Sequence, residues 1–466
     1  MQIWITPVTH QIQTSDAYHG YWQDDLYSIN PELGTVSPLA RLNTRQLTTV
    51  QSNDLKNLSS QLHDRGMYLM LDVVANHFAW TGPPNETYWT DYKPFNGEQY
   101  FHPPAVIDYT DNQTSVETGW LVVDPTPVVL PDVNTTRQDV RDLYYAWIAD
   151  LVANYSVDGL RVDTVKHVEQ SFWPGFNKAA GIYAVGEVFE TQNLTYLCDY
   201  QNYLDAVLNY GPYNQIHEGF INSTGNLFAL AEAVLGVQEE CKDVSLLGSF
   251  MENHDNPRFP NATTDILLAA NAISFTMLAD GIPIIYQGQE QHFTGGQDPH
   301  NREAVWLSGY NESAYLYGLI TTLNTIRTAA FTNDEEYLTT LQIPVYVDPN
   351  TIALRKGNAE SAVLGVYTNV GSNGSDYNIV INGVVSGFAP NSTAVDLISC
   401  NDLTVGGDGS LAITVSGGNP SVCVPLPVPL FSSLLSVLLE WRSLANMCCR
   451  CIIPLIWRQV VCAEGE

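Results

Sequence analysis

Four short stretches of this chain set acids beside histidine or arginine in patterns that could do chemistry. They are Asp72, Asn76 and His77; Arg161 and Asp163 followed by Lys166 and His167; Glu187; and Glu252, His254 and Asp255. One buried acid at a strand end is ordinarily a structural carboxylate. Three acids at three successive polar strand ends reverse that reading and point to a catalytic cleft. No Ser or Cys nucleophile motif accompanies them, so the chemistry they suggest is glycosidic. One carboxyl acts there as nucleophile and a second as proton donor, about 5–5.5 Å apart for retention and roughly 6.5–9.5 Å apart for inversion. Arg161 stands two residues before Asp163, and strand alternation puts both side chains on one face. Its fixed charge holds Asp163 ionised, as a nucleophile requires. The donor needs the opposite treatment, a pKa raised by burial and neighbouring negative charge.

Strand and helix signals alternate around these residues. Apolar runs predict strands at Ile3–Pro7, Met67–Val74, Gly159–Asp163, Gly181–Glu187, Ala206–Leu208, Leu246–Phe250 and Ile282–Tyr286. Asp54 reads as the cap of a helix carrying Leu55, Leu58 and Leu62 and ending at Arg65-Gly66. A helix from Arg137 to Asn154 keeps a 3.6-residue apolar period through Val140, Tyr144, Trp147, Ile148 and Leu151. Another carries Ile266, Ala270, Ile273 and Met277. Such repeats require a parallel sheet; an open doubly wound sheet is the alternative, but count and length favour a (β/α)8 barrel, whose active site lies where the strands end. From Leu338 short alternating runs between Gly, Asn and Ser turns predict a C-terminal antiparallel β-sandwich. The expected organisation is a barrel over 1–337, with a loop domain inserted around 77–135, a β-domain over 338–423 and an atypical tail over 424–466. Residues 36–53 fit neither domain.

The 466 residues carry 19 basic and 50 acidic side chains, a formal net charge of −31. That balance repels nucleic acid and anionic membranes and suits a neutral substrate. With 45% hydrophobic residues the chain is not a disordered acidic one. Asn-x-Ser/Thr occurs at eleven positions, among them Asn57, Asn154, Asn311 and Asn391, against about five by chance. The excess predicts a glycosylated, secreted or wall-associated protein. The opening Met-Gln-Ile-Trp-Ile-Thr-Pro reads as a buried strand, not a signal peptide. For a secreted protein this implies an incomplete N-terminus. Cys198, Cys241 and Cys400 are dispersed, whereas Cys423, Cys448, Cys449, Cys451 and Cys462 crowd the end. The Cys-Cys-Arg-Cys cluster lacks the second half that a metal site needs. The tail's apolar run is broken by Pro425, Pro427 and Pro429 and is too short to span a bilayer.

The motifs as a set identify a family. Asp-Val-Val-Ala-Asn-His (72–77), Gly-Leu-Arg-Val-Asp-Thr-Val-Lys-His (159–167), Gly-Glu-Val (186–188) and Glu-Asn-His-Asp-Asn-Pro-Arg (252–258) resemble the four signature regions of fungal α-amylases in glycoside hydrolase family 13. The likeness extends through Asp16–Trp22, Phe172–Ala180, Gly281–Tyr286 and Asp298–Trp306. It implies Asp163 as nucleophile, Glu187 as general acid/base and Asp255 as the third carboxylate, which holds sugar hydroxyls. It further implies sugar contacts from His77, His254 and Arg161, stacking by Tyr21, acceptor-side contacts by Lys166 and His167, and donor-side contacts by Asp298 and Arg302. A calcium ion would be held by Asn76, Glu117, Asp132 and the carbonyl of His167, all oxygen donors as a hard cation prefers. Cys198 and Cys241 align with a disulfide pair of the family, and Cys400 with half of another.

The chain also departs from the pattern. Ala105 and Gly119 stand where these enzymes usually have a disulfide. The family's first strand and helix are expected before Ile3, residues 36–53 resemble an insertion, and the tail has no counterpart. The resemblance implies a secreted, monomeric, endo-acting, retaining enzyme acting on α-1,4-glucan such as starch or glycogen. Its rivals are a 4-α-glucanotransferase acting on wall α-glucan and an inactive glucan-binding homologue.

Overall fold

The computed structural model describes residues 1–34, 44–110, 112–123, 128–358 and 361–426. The first part of the atypical 36–53 stretch, the cysteines from Cys448 to Cys462 and the tail beyond Leu426 lie outside the described residues. The chain forms two compact units, one of residues 1–190 and 195–208, the other of 191–194 and 209–466.

In the first unit five parallel strands pair in chain order: β1 (Gln2–Ile5), β2 (Tyr68–Val73), β3 (Gly159–Val162), β4 (Tyr183–Gly186) and β5 (Ala206–Val207). Leu69, Leu71, Leu160, Val162 and Ala184 are fully buried, the continuous apolar runs of a sheet covered on both faces. The register sets Asp72 opposite Arg161, and Val162 opposite Gly186. The ladder continues one step past the strand ends. Asp163 N donates to Val73 O at 2.9 Å, and Glu187 N to Val162 O at 2.8 Å. Both carboxylates therefore emerge from one edge of the sheet. Gly186 is required there, since a Cβ would meet Leu204 Cδ1 at 2.7 Å and Val165 Cγ2 at 2.9 Å.

Helix α1 spans Thr44–His63, which corrects the expectation that Asp54 begins it. The polar Thr, Gln and Ser of its early turns carry no apolar period to announce a helix. Helix α2 runs Gln138–Tyr155 and buries Val140, Tyr144, Trp147, Ile148 and Leu151, roughly 1.5–3 kcal/mol for each aliphatic side chain. Its Trp147 Nε1 donates to Leu26 O at 2.8 Å, fixing the helix to the hairpin of Thr9–Gln11 and Gln23–Ile29.

The second unit holds two further parallel strands, β6 (Gly248–Ser249) and β7 (Ile282–Pro283), shorter than the apolar runs suggest. Helix α3 (Ile266–Leu278) is buried nearly all round. The antiparallel domain consists of a six-stranded sheet facing the ribbon of Tyr377–Ile381 and Leu411–Val415. Ala353, Leu364 and Val366 of that sheet pack on Ile379, Ile381, Leu411 and Ile413 of the ribbon. The opposite face, with Ile352, Leu354, Val363 and Tyr367, packs on Ile273 and Phe275 of α3. No helix among the described residues is long and apolar enough to cross a membrane.

Candidate active site

The centre of the first unit is one buried cation. Arg161 is 1% exposed and sits on β3, where register brings Asp72 beside it. Its Nη1 reaches Asp72 at 3.1 and 3.2 Å and Asp163 Oδ1 at 2.7 Å, while Nη2 pairs with Glu187 Oε2 at 3.0 Å. Asp72 Oδ2 also accepts from the Tyr21 hydroxyl at 2.7 Å and from Trp4 Nε1 at 3.2 Å. One guanidinium thus spans three carboxylates. Burial pushes the Asp163 carboxyl up, but the charges of Arg161 and His77 and the hydrogen bonds from Arg161 and Thr164 together outweigh it, and the net shift is down. Asp163 is ionised. Asp72 goes the other way: burial, reinforced by the Asp163 charge, raises it to about 7 in spite of Arg161.

The Asp72 shift has a consequence for stability. Its folded pKa lies above the unfolded value of about 3.9, so between roughly pH 4 and 7 the folded state holds the extra proton. The contribution is present below that window and is lost as pH rises through it. Asp72→Asn removes the titration. Relative to wild type, the variant's melting temperature should improve by several degrees between pH 5 and pH 8, as a change of about 1–2 kcal/mol would give. Parallel melting curves across that range would refute it.

The other residues expected in this unit lie around the cluster. His77 Nε2 hydrogen-bonds Tyr21 O at 3.0 Å, and burial lowers its pKa. The Tyr21 ring lies 5.8 Å from the Arg161 guanidinium and stacks on His19. Lys166 Nζ donates to Phe189 O at 2.7 Å, its charge near the rings of Tyr109 and Phe189. His167 Nε2 meets the Tyr109 hydroxyl at 3.1 Å, and burial lowers it to about 4.

Three oxygens converge beside this cluster. The Oδ1 end of the Asn76 amide points at His167 O and at Asp132 Oδ1, 3.0 Å from each. That arrangement is repulsive unless a cation lies among the oxygens or the amide turns over to donate. Asp132 is buried, with its other oxygen 2.6 Å from His102 Nδ1. Glu117 is not one of the three. Its carboxylate accepts from Gln113, whose amide also reaches Lys166 O at 3.2 Å. The set has a single carboxylate, and no group of three His, Cys, Asp or Glu side chains suited to a metal occurs among the described residues. At the Ala105–Gly119 pair the loop is closed by backbone instead: Trp120 N donates to Ala105 O at 2.8 Å. A Cβ on Gly119 would meet Ile107 Cγ1 at 2.5 Å.

The second unit has its own polar cluster after β6. Asp255 lies 3.3 Å from His254 Nε2 and 3.3 Å from Arg302 Nη2, and Arg302 Nε pairs with Asp298 at 2.8 Å. Arg302 and Asn301 both donate to His254 O, fixing the loop. Glu252 is turned away from these groups into a buried pair with Arg258, which also holds Glu303 at 2.6 Å. Burial raises Glu252 to about 7. Glu252 is a scaffold acid, whereas Asp255 is partly exposed.

Residues 1–343 match the family model of the alpha-amylase catalytic domain, and 344–432 that of alpha-amylase domain C. The chain belongs to the α-amylase family. It is 41% identical to alpha-amylase 2 of Schwanniomyces occidentalis, over 91% of this chain and 80% of that one. It is 39% identical to an alpha-amylase of Saccharomycopsis fibuligera, over 91% and 81%. An alpha-amylase structure from Malbranchea cinnamomea superposes with a TM-score of 0.84 at 41% identity, covering 92% of this chain and 87% of that one. The fold is that of the alpha-amylase catalytic domain followed by its antiparallel C-terminal domain.

Four residues of this α-amylase site escape a reading of the sequence. Trp4 reads as strand filling, although an indole N–H in a buried strand needs an acceptor. Phe189 stands two residues past Glu187 and is half-exposed, a position that alternation could have flagged. Tyr109 lies in an irregular loop and offers no such signal. Thr164 carries a positive φ of 47°, which no residue pattern announces.

Proposed function

We propose that this α-amylase hydrolyses internal α-1,4-glucosidic bonds of starch or glycogen with retention of configuration. Asp163 attacks the anomeric carbon while Glu187 passes a proton to the departing oxygen. Glu187 then takes a proton from water, whose oxygen displaces Asp163 from the glucosyl ester. The observation that carries the reading is the shared guanidinium: Asp163 Oδ1 and Glu187 Oε2 sit on the two arms of Arg161, at 2.7 and 3.0 Å. This close pairing suits a nucleophile and acid rather than two acids separated by a water. By resemblance, Asp255, His254, Asp298 and Arg302 hold the donor sugars, Tyr21 and His77 the sugar at the cleavage point, and Lys166 and His167 the acceptor. NMR of the first product made from maltopentaose tests the stereochemistry: initial α-anomer supports retention, initial β-anomer overturns it. Products longer than the donor would show glucanotransfer instead.

Calcium fits the three oxygens of Asn76, Asp132 and His167, and would supply structural bracing next to the Asp163 loop. A site bound at a hundred times its Kd adds about 2.7 kcal/mol. Chelation should therefore lower the melting temperature by several degrees, calcium should restore it, and Asp132→Asn should abolish the response. An equal calcium response in that variant would remove Asp132 from the site. Secretion is supported by Cys198, Cys241 and Cys400, all disulfide-bonded, since such bonds persist in oxidising compartments. Cys423 is a buried free thiol. Glycosylation is supported by the exposure of most acceptor asparagines, including Asn57, Asn154, Asn311 and Asn391.

A further inference from the structure

Thr164 follows Asp163 directly and adopts φ 47° and ψ 38°. For a β-branched residue this left-handed conformation is a genuine outlier, held only where the surroundings enforce it. The turn is fixed from both sides, since Asp163 N donates to Val73 O at 2.9 Å and Val165 N to Glu187 O at 3.0 Å. The conformation aims two donors of one residue at two different acids. Thr164 Oγ1 donates to Asp163 Oδ2 at 2.9 Å, and Thr164 N donates to Glu187 Oε2 at 3.1 Å. With Arg161 Nη1 on Asp163 Oδ1 and Nη2 on Glu187 Oε2, each carboxyl is gripped by both residues.

We propose that Thr164 is a positioning residue, a strained clamp that sets the rotation of the Asp163 carboxylate and ties Glu187 Oε2 to the same turn. The proposal rests on the nucleophile and acid roles given above. Glu187 Oε2 accepts from both Arg161 and Thr164, which fixes its carboxyl beside Asp163. On Asp163 the hydroxyl fixes the plane that Arg161 alone leaves free to turn. A carboxylate held in the attacking orientation reaches C1 without reorganisation, so the clamp acts in the transition state rather than on substrate binding.

The test compares Thr164→Val, which keeps shape and removes the hydroxyl, with Thr164→Ser, which keeps the hydroxyl. Thr164→Ala is the second variant should valine not fold. Expected is a fall in kcat of about tenfold or more for Val and Ala, the equivalent of about 1.4 kcal/mol, with KM within about twofold. Ser should stay near wild type. The loss should persist on α-maltosyl fluoride, whose leaving group needs no proton, because the hydroxyl acts on the nucleophile. Wild-type activity that Asp163→Asn abolishes establishes the roles beneath the proposal. Given that control, a Val variant with wild-type kcat, or a Ser variant as slow as Val, overturns the clamp alone. A loss confined to KM, or one that vanishes on the fluoride, overturns it equally.

Discussion

Asp163→Asn is expected to abolish release of reducing ends from soluble starch, by a factor of about 10⁴ or more, the scale seen when one member of a catalytic unit is removed. The amide is nearly isosteric: its oxygen still accepts from Arg161 Nη1, 2.7 Å from Oδ1 in the wild type, and its NH2 replaces Oδ2 and donates to the Thr164 hydroxyl, 2.9 Å away. Lost is the anionic oxygen that must form the bond to C1. With the Asp163 charge gone, Asp72, which that charge helps to raise, can ionise against the guanidinium, so the variant should stay folded. Glu187→Gln should be nearly as inactive on starch, for a different reason: the proton is missing, not the nucleophile. The two separate on α-maltosyl fluoride. The Gln variant should recover much of its activity in the first, ester-forming step, whereas the Asn variant should not. If both variants behave alike on that substrate, the assignment of nucleophile and acid is wrong.

Much of this arrangement was legible because parallel strands translate sequence spacing into geometry. Asp163 and Glu187 each follow a four-residue strand whose apolar character is plain, and β3 and β4 pair with Val162 opposite Gly186. Once the strand ends are located, the acids must emerge together. The pairing of Arg161 with Asp163 follows from alternation alone. Its reach to Asp72 and Glu187 does not, since the register that sets Asp72 against Arg161 joins residues almost ninety positions apart in the chain. Helix α1 is missed for another reason: the Thr, Gln and Ser of its early turns give the sequence no periodic signal. The proposed calcium site is the harder case. Asn76, Asp132 and the carbonyl of His167 are all named by resemblance; residue types alone would not single out a backbone oxygen. Glu117 is named by resemblance alone, and its carboxylate accepts from Gln113 in the structure.

Asp72 shows why the same residue type needs two descriptions. Asp72 and Asp163 both touch Arg161 and both are buried, yet burial carries one to about 7 while the other falls below its ordinary value. Both acids accept from a hydroxyl, Tyr21 on Asp72 and Thr164 on Asp163, but Asp163 has the closer contact to Nη1 and the His77 charge, whereas Asp72 shares that nitrogen at longer range and faces the Asp163 charge. The cluster therefore holds its negative charge where the reaction uses it.

Arg161→Met is the second large effect expected, and it follows from that division. Methionine fills a similar volume against the Trp4 and Tyr21 rings, which lie 5.5 and 5.8 Å from the guanidinium, so packing is largely kept. The charge is not. Asp72, Asp163 and Glu187 are left buried around an apolar side chain, and breaking a buried pair by removing one partner costs about 3–5 kcal/mol. The three carboxyls can escape this only by taking up protons, which raises their folded pKa values above the unfolded range near 4. Groups shifted in that direction stabilise at low pH and lose that contribution as pH rises. The variant should therefore unfold at markedly lower urea than wild type at pH 8 and recover much of the difference by pH 5. It should be inactive at both, because protonating Asp163 to rescue the fold removes the nucleophile. Urea midpoints and starch hydrolysis at the two pH values measure this directly. A variant as stable as wild type at pH 8 would mean that the acids do not depend on Arg161 for their charge. A variant that is active at pH 5 would mean that Asp163 does not need to be ionised to act.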